Sequence, residues 1–198
     1  MKNIQPITKE RLGKETEKMQ EKIQALCEKY NLTYNKETGR YDCERNVRVR
    51  GDLINNGRLI IQFGVVEKDF NCQGCGLTSL KGTPQKVGGA FNCCYNYITT
   101  LDGAPQEVGG YFDCRYNELT SLEGSPKVVK GVFTCSNCNL TTLKGAPKAV
   151  YGDFYCSYNN LTSLEGATQY VGGYLYCDNN PLTSFDGAPQ VVAGIINE

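Results

Sequence analysis

The chain has 198 residues, 21 Lys/Arg against 21 Asp/Glu, and neither His nor Trp. That length allows one or two domains, and the missing His removes the usual neutral-pH acid/base and the commonest metal ligand. Residues 1–50 carry 12 Lys/Arg and 8 Asp/Glu, a net +4 that leaves the remainder at −4, and neither value argues for nucleic acid or membrane by itself. No apolar run approaches the ~18 residues of a membrane span, and the opening MKNIQPITKERLGKETEKMQ has no apolar core of signal-peptide type. A cytoplasmic chain is expected. Its odd count of 11 Cys then points to reduced thiols.

In chain order, residues 8–30 form the first predicted element, an amphipathic helix. Thr8 is its candidate N-cap, and Leu12, Met19, Ile23, Leu26 and Tyr30 make one apolar stripe. Tyr34 to Tyr41 predicts a strand, a turn at Gly39 and a second strand, and Val47 and Val49 alternate with Arg48 and Arg50 as in a half-buried strand. Residues 1–58 are assigned as a cap over the first repeat edge, with partner binding by the helix as the alternative. Residues 59–198 are assigned to a solenoid that opens with a degraded repeat from Leu59.

From Leu77 the chain repeats with a period of 21 residues, opening at Leu77, Ile98, Leu119, Leu140, Leu161 and Leu182 without insertion or deletion. Such a period marks a solenoid, in which each repeat contacts its neighbours. Counting from the opening residue, the consensus is L-T-S/T-L-x-G-A-P-x-x-V-x-G-x-F-x-C-x-x-N-x. Phe at position 15 and Cys at position 17 alternate with variable residues, which predicts a short strand with an inward Phe ladder and an inward Cys ladder. Leu/Ile, Leu and Val at positions 1, 4 and 11 complete the core. Position 20 is Asn or Cys, and an inward Asn there is expected to bond the backbone of the turn, while Thr at position 2 is expected to form an outward ladder. Gly and Pro at positions 6, 8 and 13 disfavour a helix on the back of the repeat, where extended or 3₁₀ structure is expected.

These residues resemble the leucine-rich repeat family. The pattern L-x-x-L-x-L-x-x-N/C-x-L is met by G-x-F-x-C-x-x-N-x-L, with Val one place early. The LTSL…GAP spacing looks most like the short type of bacterial effectors and small phage or prophage proteins. The chain departs from the effectors in its Gly-containing back and in lacking an appended ligase domain. The resemblance covers about 65–198 and implies a leucine-rich repeat solenoid, with a parallel sheet on its concave face and an extended or 3₁₀ convex side, that serves as a protein-binding scaffold.

Two CxxC pairs, Cys72/Cys75 and Cys135/Cys138, have zinc-like spacing. The repeat register sets them about 14 Å apart at a ~4.8 Å strand spacing, so structural thiols are expected instead, with no metal, cofactor or disulfide. Cys94 at position 18 is expected to face outward. With no His as a base and no phosphate-binding loop, no enzyme is expected.

Positions 14, 16, 18 and 19 should form the exposed concave face. They vary while the core positions do not, and they hold Tyr95, Tyr111, Asp113, Arg115, Tyr116, Asp153, Tyr155, Tyr158, Tyr174, Tyr176 and Asp178. Tyrosine offers large contact area at low entropic cost, so this face is the expected site for a protein partner. Its acidic balance disfavours phosphate backbones, so neither nucleic acid nor membrane is expected as a partner. The resemblance adds a sharper expectation, an inhibitor or adaptor acting on a host protein, such as a defence protein, in the host-cell cytoplasm. The alternatives are a sponge for a small ligand or nucleotide, and a self-assembling subunit pairing through Ile195 and Ile196.

Overall fold

A computed structural model of the protein describes residues 9–197, with side chains described from Glu15 onward. The chain is a parallel β-solenoid preceded by a single helix, α1 (Lys9–Tyr30). Thr8 and the Leu12 side chain lie outside the described residues. Of the remaining stripe, Leu26 is buried and Ile23 and Tyr30 pack on the core, whereas Met19 is 42% exposed. Among the described side chains of α1, those from Ile23 to Tyr30 dock. Tyr30 donates a hydrogen bond to Asp52 (2.9 Å), and Lys29 pairs with the same carboxylate, tying the helix to the first turns.

The expected hairpin forms from Thr33–Asn35 and Arg40–Cys43, with Gly39 in the left-handed region. Arg40–Cys43 then pairs in parallel with Phe63–Val66, and Val47–Arg48 with Phe70–Asn71. The segment after α1 thus supplies the first rung of two sheets.

Each later turn gives one short strand to each sheet. Lys86–Val87, Glu107–Val108, Val128–Val129, Ala149–Val150 and Tyr170–Val171 stack in the valine sheet. Phe91–Asn92, Phe112–Asp113, Phe133–Thr134, Phe154–Tyr155 and Tyr174–Tyr176 stack in the phenylalanine sheet, which ends on Gly194–Ile196. Positions 10 and 11 of the repeat are extended and hydrogen-bonded into a sheet of their own. The only 3₁₀ turn among the described residues is Gly51–Leu53. Glycine permits this closeness. A Cβ on Gly131 would meet the Gly110 carbonyl at 2.8 Å, so only a bare backbone fits where one turn crosses the last. The position-6 glycines instead adopt φ from +83° to +97°, a region closed to most side chains.

The register places every side chain on its own copy. The rings of Phe91, Phe112 and Phe133 stack with centroids 5.2 and 5.3 Å apart, fully buried. The leucines, valines and position-17 cysteines fill the space around them. Position-2 threonines are exposed, as expected of an outward ladder.

The inward asparagines link turn to turn. The Asn96 amide donates to the carbonyls of Cys72 (3.0 Å) and Cys93 (2.9 Å), and its oxygen accepts from the backbone of Cys75 (3.1 Å) and Leu77 (2.9 Å). Asn117, Asn159 and Asn180 repeat the pattern. One side chain thereby satisfies buried backbone groups of two turns. Where Cys138 replaces Asn, its thiol reaches the Cys114 carbonyl at 3.4 Å, but the backbone of Asn117 and Leu119 meets only sulfur, a weak acceptor.

Replacing Asn117 by Ala should lower stability by on the order of 3 kcal/mol, because three buried backbone groups lose partners. Cys138→Asn should raise stability by about 1 kcal/mol by restoring the missing acceptor. Urea unfolding midpoints at unchanged slope measure both.

Candidate binding face

Outside the phenylalanine sheet, positions 14, 16 and 18 rise from each strand, and position 19 lies in the turn that follows. Because the copies are in register, each outward side chain leans on its counterpart one turn away, and several expected exposed positions are covered by their neighbours. Asp113 is 4% exposed, Thr134 8% and Ser136 7%. Cys94, expected outward and accessible, is 2% exposed yet lies outside the apolar core. It is shielded within the face beside Asp113 and Arg115. Burial first, and the Asp113 charge second, push its thiol up to about 11, so it is protonated and unreactive at neutral pH.

The predicted residues fall into three groups. In the first, Tyr111, Asp113, Arg115 and Tyr155 join Asn92, Val132, Thr134 and Ser136 around a depression of about 450 Å³. The depression exists because the turn carrying Val132, Thr134 and Ser136 has small side chains, while the adjoining turns carry Tyr111 and Tyr155. Arg115 clasps Asp113, donating from Nε at 3.1 Å and Nη2 at 2.9 Å. The Thr134 and Ser136 hydroxyls line the depression, and neither is hydrogen-bonded to any group among the described residues.

The second group is Asp153, Tyr155, Tyr174, Tyr176 and Asp178. Tyr155 and Tyr176 stack at 4.4 Å, nearly parallel, and Tyr174 lies tilted by 50° beside them. Asp153 accepts from the Tyr174 backbone (2.8 Å) and the Tyr155 hydroxyl (3.2 Å). Burial and the Asp153 charge push the Tyr155 hydroxyl up to about 12. Burial would raise the Asp178 carboxyl, but hydrogen bonds from Ser157 and Asn179 outweigh it and hold the group below its ordinary value.

The third group is the rim. Tyr95 and Tyr116 stack at 4.3 Å, and Tyr158 stands apart from them. All three sit in the left-handed region, at φ 55°, 54° and 56°, where the equivalent positions of other turns hold Gly74, Asn137 and Asn179. Gly and Asn suit that conformation, whereas a bulky residue is strained there by about 1 kcal/mol or more.

The opposite face lies outside the predicted site residues. Outside the valine sheet, Lys86, Lys127 and Lys130 surround a depression of about 480 Å³ floored by Gly88 and Gly109. Lys86 pairs with Glu107 at 3.3 Å. Two successive glycines at position 12 could have signalled this face, had the back of the repeat been read as a second sheet.

Among the described residues no helix is long and apolar enough to cross a membrane, and no cluster of three or more His, Cys, Asp or Glu could hold a metal ion. No family model, curated protein or solved structure matches the chain.

Because Tyr158 is strained without a stacking partner, Tyr158→Asn should raise stability by about 1 kcal/mol. Thermal unfolding checks this, and a loss of stability would show that the ring packs usefully in the free protein.

Proposed function

We propose that the protein is a non-enzymatic binding module that holds a protein partner against the outer face of its phenylalanine sheet. One observation carries this reading most directly. Three rim tyrosines occupy left-handed backbone positions where Asn or Gly would fold with less strain. Strain kept at an exposed surface indicates a use for the rings outside the fold itself. The neighbouring depression and the stacked Tyr155/Tyr176 pair add contact surface of the kind that anchors interfaces.

A kinship with short leucine-rich repeat proteins of bacteria and phages belongs to the same proposal. The 21-residue period and the F-x-C-x-x-N strand with its asparagine ladder support it. On that basis the partner is a host protein in the cytoplasm, and the module inhibits or redirects it, a defence component being the sharpest case.

A second reading, a sponge for a small ligand, draws on the same depression, whose floor offers two unused hydroxyls. Its openness to the sheet face and the breadth of the tyrosine surface favour a macromolecule.

Capture from host lysate under reducing conditions tests the proposal. A Tyr155→Ala/Tyr174→Ala/Tyr176→Ala variant should fold and lose a partner that the native protein retains. Equal capture by both would rule out this face as the site.

A further inference from the structure

The charges of the tyrosine face are unevenly spread along it. Arg48 lies on the first rung, Arg115 in the middle is clasped by Asp113, and the remaining acids are Asp69, Asp153 and Asp178. The last described turns therefore present Asp153 and Asp178 with no basic partner. Between these carboxylates lie the Tyr155/Tyr176 stack and the tilted Tyr174 ring. Stacked rings beside unpaired carboxylates attract a cation by two additive routes, the ring quadrupole and direct charge. A guanidinium suits both better than an ammonium, since it is planar, stacks on a tyrosine and forks onto a carboxylate.

The adjacent depression supplies an independent observation. Thr134 and Ser136 are more than nine-tenths buried, and their hydroxyls, which bond no group among the described residues, are open to the depression. In the free protein these hydroxyls meet solvent, and a polypeptide laid across the turns brings amides and polar side chains that can bond them directly. A nucleic acid is a poor occupant, because its phosphates would face Asp153 and Asp178 without a counter-charge.

Building on the binding-face reading above, we propose that the occupant is an arginine-bearing segment of the partner protein, with one guanidinium on the Tyr155/Tyr176 stack between Asp153 and Asp178. The neighbouring residues of the segment lie over Thr134 and Ser136. Charge complementarity then selects the partner and speeds encounter, while the rings hold it in place.

Fluorescence anisotropy with labelled Gly-Ser-Arg, Gly-Ser-Lys and Gly-Ser-Glu repeat peptides of equal length tests this. The arginine probe should bind about tenfold more tightly than the lysine probe, and the glutamate probe should not bind. Raising the salt concentration should weaken the arginine probe. Asp153→Asn/Asp178→Asn keeps hydrogen-bonding capacity at both positions and should weaken that probe about tenfold, with an unfolding midpoint near that of the native protein. Ring-dependent binding that ignores both charge and the aspartate variant would overturn the arginine inference and leave the binding face standing. Failure of the native protein to bind the arginine probe would also overturn it. The face itself is judged separately, by lysate capture with the tyrosine variant.

Discussion

Every feature of this protein depends on one constraint, that each 21-residue turn lies in register on the turn before it. The backbone ladders of two sheets impose it, and the glycines at the crossings allow it. Once imposed, it acts on every position at once. Phe meets Phe, Asn reaches the carbonyls of its own turn and the previous one, and Tyr stacks on Tyr. An insertion within a turn would break all these ladders together, which explains the absence of any length variation from Leu77 onward.

The same constraint turns composition into topography. On an irregular surface, a Ser beside a Tyr has no predictable consequence. In a register-locked stack, one turn of small residues between turns bearing tyrosine makes a depression, and the Val132–Thr134–Ser136 turn makes one. On the opposite sheet, Gly88 and Gly109 do likewise between lysines. The solenoid thus presents two outer faces of different character, one rich in tyrosine and aspartate and one in lysine.

Strain and stability pull in opposite directions on the tyrosine face. The core is uniformly apolar and its asparagine ladder leaves little unsatisfied. A few bulky residues in left-handed turns are therefore tolerated within the stability of the whole. Two carboxylates also act as structural caps. Asp69 accepts from the Ala90 backbone and Asp153 from the Tyr174 backbone, each at 2.8 Å, spanning one turn to the next. Residues that look purely functional by their variability thus also carry part of the fold.

The sequence by itself determined the period, the inward ladders, the asparagine role and the docking stripe around Leu26. These depend on local spacing, and a repeat multiplies a local preference six times over. It also singled out the tyrosines, since positions that vary within an otherwise constant repeat are visible in one chain. Only the tertiary structure decided that the valine strands form a sheet, because pairing depends on how closely two backbones approach, which no single repeat encodes. Burial of Cys94, Asp113, Thr134 and Ser136 was likewise invisible, because alternation assigns a side to each residue but not the cover its neighbours provide. The left-handed rim is illegible for a different reason: Asn137, Asn179 and Gly74 at position 19 suit such a turn, but tyrosine at the equivalent positions masks it.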